Sequence, residues 1–382
     1  MGTVSGPSPG TVRVATFNVA LAGREPGDVI ARLGRDDPQA LGVAAIIRHV
    51  RPDILLLNEL DHDPEQRALD AFVTRYLECE SGEGRPQHYP YRFAASVNTG
   101  VPSGFDLDRD GRRDGPGDAL GFGRYPGQYG MALLSRYPLD HHRIRTFRRF
   151  PWQRLPGAEL PRIPGSGAPW YAGDAAALLP LSSKSHWDVP VVLGERTVHV
   201  LASHPTPPAF DGPERRNRLR NAAETDFWRQ YLNDEPALID DGGQAGGLAD
   251  SELAIVLGDL NADPDDGDGE RDAIRSLIGH ARLQDPRPRS DGATEWAHRA
   301  PRPPVGDPSL KTAWFGCVAL RVDYVLPDRG LTVRDAGVFW PRATTPRAAL
   351  IGEDGMQASS DHRLVWVDLD CPRPNEQPVP PL

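Results

Sequence analysis

Cysteine is scarce in this chain, and its spacing excludes several classes of site. Three cysteines occur among 382 residues, at Cys79, Cys317 and Cys371. None belongs to a C-x-x-C pair, and an odd number of cysteines cannot complete a disulfide framework. The absence of closely spaced thiols argues against a soft-metal centre.

Positive charge is scarce as well, and lysine is nearly absent. The formal net charge is −10, and of 43 basic residues only Lys184 and Lys311 are lysines. No block of five or more like charges occurs. Proteins dedicated to nucleic-acid binding usually carry a basic stripe, because contacts from lysine and arginine to phosphates dominate their affinity. The charge balance therefore argues against a dedicated nucleic-acid binder.

Long apolar runs are also missing. No stretch of 18 apolar residues exists, so the sequence predicts no membrane-spanning segment. The first twenty residues lack a charged segment followed by an apolar one, so no leader is visible. We expect a soluble chain that is cytoplasmic as written, or secreted if a leader has been removed.

Proline and glycine are abundant, at 39 residues each, and predict long irregular connections. The order β–α–β–α near the start favours a layered α/β fold. We predict one large domain over residues 12–370, preceded by a flexible segment at 1–11 and followed by a Pro-rich tail at 371–382. The predicted inserts in this domain lie near 98–128, 146–186 and 284–310.

Apolar runs of strand length recur along the predicted domain. The predicted strands cover residues 12–20, 53–60, 130–135, 253–260, 321–326, 331–340 and 362–369. Residues 189–204 are predicted to form a hairpin that turns near Gly194 and Glu195. Helices are predicted over residues 64–78 and 213–232, and another is predicted to end at Val50.

Polar residues stand at the ends of several of these runs. They are Asn18, Glu59, Asp259, Asn261 and Asp323. One carboxylate at a strand end is usually a cap or loop former, but here the arrangement recurs, and sites in open α/β sheets collect at strand ends. Carboxylates brought together repel each other, and a bound cation relieves that repulsion. Oxygen ligands of this kind suit Mg²⁺, Mn²⁺ or Ca²⁺ and do not favour zinc.

Six short motifs follow one another along the chain. They read TFNV, LLNE, SHPTPP, GDLNADP, RVDYVLP and SSDH. In this order, over residues 12–370, the sequence resembles the endonuclease/exonuclease/phosphatase superfamily of pancreatic-type deoxyribonucleases, abasic-site endonucleases, inositol phosphatases and sphingomyelinases. The resemblance implies an α+β fold, namely a four-layer α/β/β/α sandwich of two packed mixed β-sheets flanked by helices. The chain would be a bacterial-type member with an added D-x-D-x-D-G insert.

The resemblance also implies a metal side of the centre. Glu59 matches the principal metal ligand of the superfamily, and Asn18 and Asp361 match the positions beside it. The implied cofactor is Mg²⁺, with Mn²⁺ as an alternative. Such a cation offsets the negative charge that develops on phosphoryl oxygens in the transition state.

A second group of matched residues would act on the substrate. Asp259 and Asn261 match the pair that positions the attacking water and the scissile phosphate. His362 matches the catalytic histidine, and Asp323 the carboxylate that orients it and stabilises its imidazolium form. His204 matches a second histidine of the nuclease and sphingomyelinase branches, and it points away from the abasic-endonuclease branch. Standing alone, His204 would be read as a loop histidine.

An acidic insert departs from the superfamily core. The sequence FDLDRDGRRDGPGD copies the first half of a calcium loop. Its alternating carboxylates are Asp106, Asp108 and Asp110. Asp114 falls at the ninth position, whereas Gly117 stands at the twelfth, where a bidentate Glu is expected, and Asp118 comes one residue late. A structural Ca²⁺ site at the first four aspartates is one interpretation, and a solvated acidic turn is the other.

A third group precedes the predicted hairpin. In the sequence LSSKSHWDVPV, Lys184 and His186 are candidate contacts for a substrate phosphate, as Asn261 is. The alternative for Lys184 is a surface lysine in a loop.

Three functions compete. The leading hypothesis is a metal-dependent hydrolase of a small or exposed phosphomonoester or phosphodiester, active as a monomer. The second is a DNA or RNA nuclease of the same fold, which net charge weakens without removing. The third is a non-catalytic binding module, which predicts losses at the matched positions, and none is found in this sequence.

Overall fold

The fold rests on short, largely buried strands, as a computed structural model shows for residue 7 and residues 10–80, 83–352 and 358–370. In chain order the strands are β1 (Thr11–Leu21), β2 (Ile54–Leu60), β3 (Tyr91–Phe93), β4 (Met131–Ser135), β5 (Arg145–Thr146), β6 (His186–Leu193), β7 (Arg196–Ser203), β8 (Leu253–Asp259), β9 (Ala313–Phe315), β10 (Val318–Leu320), β11 (Asp323–Pro327), β12 (Val333–Val338) and β13 (Val365–Asp370). Most of the predicted flexible segment and all of the predicted tail lie outside the described residues.

Helices cover the strands. In chain order they are α1 (Asp28–Leu33), α2 (Pro38–Val50), α3 (Arg67–Phe72), α4 (Asp174–Leu178), α5 (Arg216–Leu232), α6 (Arg271–Ile278) and α7 (Asp291–Ala297). A π-helical turn at Val73–Leu77 continues α3. The start of α2 is fixed by Asp37, whose side chain accepts a hydrogen bond from the backbone N–H of Ala40 at 2.9 Å. Among the described residues, no helix combines the length and hydrophobicity needed to cross a bilayer.

The first sheet has six strands in the order β12-β13-β1-β2-β4-β3. β1 and β2 pair in parallel, and β13 pairs antiparallel with the other side of β1. Because β1 and β2 run in the same direction, both end at the same edge of this sheet. Residue types explain the central position of β2, since Ile54–Leu60 is an almost continuous buried run of leucine and isoleucine.

The second sheet has five strands in the order β11-β8-β7-β6-β5. β7 and β8 pair in parallel and end together, and β11 begins where β8 ends, with Asp323 opposite Asp259. The hairpin of β6 and β7 turns at Gly194 and Glu195, as predicted. Gly194 has φ 66°, a left-handed conformation that favours glycine.

The two sheets pack face to face, with helices on both outer faces. Alternation along β8 shows the layers, because successive side chains of a strand point to opposite faces. Ile255 and Leu257 belong to the core shared with the first sheet, whereas Ala254 and Val256 belong to a second core that includes Phe227 of α5. The architecture is therefore the predicted four-layer sandwich of two mixed sheets flanked by helices.

The predicted insert near 284–310 contains a helix, α7, which the sequence did not predict. The Ser290 side chain accepts a hydrogen bond from the Ala293 backbone N–H at 3.3 Å and caps this helix. Trp296 of α7 lies near Trp314 and Trp340, with ring centroids 6.1 and 6.3 Å away. The helix is thus held by an aromatic cluster formed with distant parts of the chain. The ribbon of β9 and β10 was not predicted either.

Candidate active site

The eight residues of the predicted centre lie at one end of the two sheets. Each follows or ends an apolar strand, or precedes one. Asn18 lies on β1, Glu59 on β2, Asp259 at the end of β8, Asn261 two residues later, His204 directly after β7, Asp323 at the start of β11, and Asp361 and His362 just before β13. Parallel pairing of β1 with β2 and of β7 with β8 brings these strand ends together.

Asn18 connects the two sheets at this edge. Its amide nitrogen donates to Glu59 Oε1 at 3.1 Å and to Asp259 Oδ2 at 3.0 Å. Its amide oxygen accepts a hydrogen bond from the Ala20 N–H at 3.1 Å. The side chain is buried, so the amide holds two carboxylates from different sheets near each other.

Two residues of the centre have a left-handed backbone. Glu59 has φ 57° and Asn261 has φ 52°. Residues other than glycine rarely adopt this conformation, which costs on the order of 1–3 kcal/mol for a strained residue, and such residues cluster at functional sites. Asn261 is held by two hydrogen bonds, from its N–H to Asp259 Oδ1 at 2.9 Å and from its amide nitrogen to Pro205 O at 3.0 Å.

His362 and Asp323 form a buried pair. Nδ1 of His362 lies 3.0 and 3.2 Å from the two carboxylate oxygens of Asp323. Burial alone would lower the pKa of His362, but the carboxylates of Asp323 and Asp259 outweigh it and raise that pKa to about 10. Burial raises the pKa of Asp323 to about 6 against the opposite influence of His362. At neutral pH the pair is therefore an imidazolium and a carboxylate.

Asp259 lies between the two histidines. Its Oδ2 is 3.3 Å from His204 Nε2 and 3.6 Å from His362 Nε2. Burial would raise the pKa of Asp259, but the charge of His362, contacts with His204 and the Asn18 amide lower it well below its usual range. Asp259 is only 1% exposed and is held as an anion.

His204 differs from His362 in its protonation state. Burial lowers the pKa of His204, and the charge of Lys184 lowers it further, against the attraction of Asp259. Neither ring nitrogen makes an aligned hydrogen bond, although both are buried. The short approach of Nε2 to Asp259 is thus an electrostatic contact, and His204 is a neutral imidazole with unused nitrogens.

The predicted metal ligands are not the residues of the centre whose ligand atoms lie within 4.8 Å of one another. Among the described residues, ligand atoms of Asp259, Asp323 and His362 lie within 4.8 Å of one another. A protonated His362 has no free lone pair, so it offers a ligand atom only when it gives up its proton. The side chain of Glu59 is 27% exposed. Asp361 is partly exposed as well. It follows Ser360, whose hydroxyl donates a hydrogen bond to β1.

Lys184 lies in this centre, whereas His186 does not offer a free nitrogen. Lys184 is 6% exposed, and within the described part of the chain its ammonium has no carboxylate within ion-pair distance. Burial lowers the pKa of Lys184, although neighbouring carboxylates, Glu224 the strongest, act in the opposite direction. His186 is 1% exposed, with Nδ1 2.6 Å from Ser182 Oγ and Nε2 2.9 Å from the Glu224 carbonyl oxygen. Because both its nitrogens are engaged inside the protein, His186 has no free nitrogen with which to contact a substrate, contrary to the prediction.

The acidic insert gathers a different set of carboxylates from the predicted one. Asp106, Asp108 and Asp118 bring oxygen atoms within 4.8 Å of one another. Asp114 is instead exposed and accepts a hydrogen bond from Arg112 Nε at 3.3 Å. Asp110 stays beside the group and accepts the Arg112 N–H at 2.8 Å. Asp118 joins the group because its side chain is buried and accepts hydrogen bonds from backbone N–H groups of the insert.

Several supporting residues were not predicted. Thr312 Oγ1 donates to Asp323 Oδ2 at 2.7 Å, and Asn58 Oδ1 accepts from the Asp259 N–H at 3.3 Å. Ser360 Oγ donates to the Asn18 carbonyl oxygen at 2.7 Å. Asn58 and Ser360 stand inside the LLNE and SSDH motifs, so the motifs themselves were the available signal. Thr312 lies in no motif, and its role depends on tertiary structure alone.

The chain is similar to several solved structures at low sequence identity. An endonuclease/exonuclease/phosphatase from Beutenbergia cavernae is 19% identical, with a TM-score of 0.51, and the match covers 94% of this chain and 72% of that one. A family protein from Leptotrichia buccalis is 13% identical with a TM-score of 0.48, over 94% and 99% of the two chains. Sphingomyelinase C from Streptomyces griseocarneus is 13% identical with a TM-score of 0.45, over 94% and 99%. Among curated proteins, none matches the chain significantly.

A sequence profile of one protein family also matches most of the chain. The profile of the Endonuclease/Exonuclease/phosphatase family matches residues 15–362, which include every member of the eight-residue centre. The matched span starts in β1 and ends at His362, so it contains both sheets up to the last strand. With its two mixed sheets and flanking helices, the chain belongs to the endonuclease/exonuclease/phosphatase family.

Proposed function

We propose that this protein is a divalent-metal-dependent phosphoesterase that hydrolyses a small or exposed phosphomonoester or phosphodiester by attack of water. The observation that carries the proposal is the environment of Asp259, a buried anion between a neutral His204 and a positively charged His362. Neighbouring titratable groups with opposite pKa displacements are typical of acid–base sites. Membership of a family of phosphoester hydrolases supports the same reaction class.

We assign the cation to Glu59, Asn18 and Asp361, with Mg²⁺ or Mn²⁺ as the metal. These side chains offer oxygen ligands, which both ions prefer. The Asn18 amide oxygen accepts one hydrogen bond, from the Ala20 N–H, so its second lone pair would be available to the cation. When bound, the cation polarises a phosphoryl oxygen and offsets the negative charge that develops there.

The side chains of the centre have different roles in the reaction. Asp259 and Asn261 orient the attacking water, because the carboxylate accepts its hydrogen and Asn261 is fixed to the same carboxylate. His204, neutral and with free nitrogens, accepts the proton of that water. His362, held as imidazolium by Asp323, donates a hydrogen bond to a phosphate oxygen. A bond forms from the water oxygen to phosphorus and the ester P–O bond breaks. The leaving oxygen takes a proton from solvent water, and His204 returns its proton to the solvent.

We place the Lys184 ammonium beside a phosphate oxygen of the substrate. It lies among carboxylates of the centre without an ion pair of its own, as judged over the described residues. A substrate phosphate would supply the anionic partner that this buried cation lacks. A charge-assisted hydrogen bond of this kind is stronger than a neutral one.

The test of this function uses purified protein with Mg²⁺, Mn²⁺ or Ca²⁺ on p-nitrophenyl phosphate, bis(p-nitrophenyl) phosphate, plasmid DNA and RNA. We expect hydrolysis of a small ester that stops when EDTA removes the metal. Glu59→Ala and His362→Ala should each lower kcat about 100-fold or more. The exposed His141→Ala is the matched control and should retain activity.

Two outcomes would overturn this assignment. Unchanged turnover in purified Glu59→Ala or His362→Ala would exclude the mechanism. Cleavage of DNA or RNA far faster than of either small ester would instead establish a nuclease of the same fold.

We further propose that Ca²⁺ binds the acidic insert at Asp106, Asp108 and Asp118. The support is the gathered carboxylate oxygens and the buried Oδ1 of Asp106, which has no hydrogen-bond partner. Millimolar Ca²⁺ should raise the unfolding temperature of the wild type but not of Asp106→Asn, whereas Asp114→Asn should respond like the wild type. An equal response of all three proteins to Ca²⁺ would exclude the site.

A further inference from the structure

A two-stranded ribbon stands apart from both sheets and is fixed beside His362. β9 and β10 pair with each other, in the register Phe315 opposite Val318. The Trp314 N–H donates to the Asp361 carbonyl oxygen at 2.8 Å, and Ala313 lies opposite His362 in an isolated bridge. A ribbon of two strands is marginal by itself, so these contacts determine its position. The tip of the ribbon is therefore held in position beside the proposed centre.

The tip of this ribbon presents an apolar face. Phe315 is 40% exposed, and its ring centroid lies 5.5 Å from that of His362 with 75° between the planes. Val318, directly across the ribbon, is 37% exposed. Opposite residues of an antiparallel pair share one face, so the two side chains form one surface. Single exposed apolar residues are common on proteins, but this pair adjoins a histidine that is proposed to bind phosphate.

The same tip carries no charge. Its residues are Phe315, Gly316, Cys317 and Val318. A site for a second phosphate of a polyanion would place arginine or lysine there, because such contacts dominate binding to nucleic acids. An uncharged aromatic surface instead favours a neutral, carbon-rich group.

We infer that Phe315 and Val318 form an apolar subsite for an aromatic or other carbon-rich group esterified to the scissile phosphate, on the side of His362. This inference rests on the proposed phosphoesterase function and specifies its substrate class. The phosphate would bind at the polar centre while its organic substituent packs on the Phe315 ring. Aromatic contacts of this type are favourable beyond the area they bury.

The experiment compares two competitive inhibitors of equal charge, phenylphosphonate and methylphosphonate, with metal-loaded protein and a small ester as substrate. The wild type should bind phenylphosphonate more tightly. Phe315→Ala should weaken phenylphosphonate about tenfold, while Phe315→Trp should preserve the preference. The inhibition constant of methylphosphonate should stay unchanged, which also reports that the variant is folded. Ile239→Ala is the matched control, because Ile239 is likewise 40% exposed but lies in the loop that packs on β5, the edge strand three strands away from β8.

The possible failures are separable. If no ester is hydrolysed and neither phosphonate binds, the proposed function fails and the subsite with it. If esters are hydrolysed but the wild type does not distinguish the two phosphonates, the subsite is excluded and the proposed function stands. A phenyl preference that persists in Phe315→Ala would exclude the subsite in the same way.

Discussion

At the scale of single residues, the Thr312 hydroxyl makes three hydrogen bonds under the centre. It donates to Asp323 Oδ2 at 2.7 Å and accepts from the backbone N–H groups of Val322 and Asp323, both at 3.0 Å. All of these groups are buried. Thr312 thus holds the carboxylate that in turn holds His362.

Removal of this hydroxyl should disturb both stability and turnover. Thr312→Val keeps the shape but leaves two buried N–H groups without an acceptor, at about 1–3 kcal/mol each. We expect a lower free energy of unfolding in urea and a kcat reduced about tenfold, because Asp323 is no longer fixed. Thr312→Ser restores the hydroxyl and should stay close to the wild type. Equal kcat in the valine and serine variants would contradict the role.

Lys184 gives a second prediction at this scale. Lys184→Met keeps the length of the side chain and removes its charge. The inhibition constant of inorganic phosphate should rise about tenfold, since a hydrogen bond to a charged group contributes about 1.5–3 kcal/mol. Arg154→Met, which removes an exposed positive charge, is the control and should leave phosphate binding unchanged. Equal phosphate affinity in Lys184→Met and the wild type would remove Lys184 from the substrate site.

At the scale of elements, α5 holds two loops of the centre together. Glu224 on this helix accepts hydrogen bonds from Ser183 N–H at 2.6 Å, Ser183 Oγ at 2.9 Å and Thr206 N–H at 2.6 Å. The first loop carries Lys184 and the second follows His204. One buried carboxylate therefore sets the spacing between two residues of the proposed centre.

The prediction for α5 follows from those bonds. In Glu224→Gln an amide nitrogen replaces one of the two accepting oxygens, so the side chain cannot keep all three bonds. We expect the free energy of unfolding to fall by about 3 kcal/mol, since bonds to charged acceptors are worth about 1.5–3 kcal/mol. Phosphate binding should weaken as well. Asp226→Asn, on the same helix but paired with Arg229 at the surface, is the control and should change neither quantity appreciably. Stability and phosphate affinity equal to those of the wild type in Glu224→Gln would exclude the bracing role.

At the scale of the whole molecule, several histidines couple folding to pH, and His186 and His49 show the effect at acidic pH. Burial lowers the pKa of His186 to about 4, and burial with the charges of Arg347 and Arg13 lowers the pKa of His49 to about 4, from an ordinary value of 6.5. Between pH 6.5 and pH 4 the unfolded chain binds protons at these histidines that the folded chain does not bind. The free energy of unfolding should therefore decrease as pH falls through this window.

The substitution His49→Gln checks the sign and the size of this effect. The variant lacks one of the two groups, so it should lose less stability than the wild type between pH 7 and pH 4.5. We expect a difference of about 1–2 kcal/mol, because one pKa unit corresponds to about 1.4 kcal/mol and His49 is only partly buried. Urea unfolding of both proteins at the two pH values measures it. An identical loss in both would show that His49 does not contribute.

The sequence by itself determined the longer core strands and the polar residues that stand at their ends. Continuous apolar runs predicted β1, β2 and β8, because a strand buried on both faces needs apolar side chains at every position. Parallel strands end on the same side of a sheet, so polar residues at their ends lie close together. The positions of Asn18, Glu59 and Asp259 in a common site could therefore be predicted from the order of these strands along the chain.

Tertiary structure decided what local patterns do not encode. α7 depends on Trp314 and Trp340, which come from other segments of the chain. His186 became a buried structural residue because the Glu224 carbonyl reaches its ring, and the acidic insert includes Asp118 in place of Asp114 because burial selects the oxygens that meet. The protonation of each histidine is likewise a property of packing. Burial and the charges around a side chain set its pKa, and both exist only after residues distant in sequence have come together.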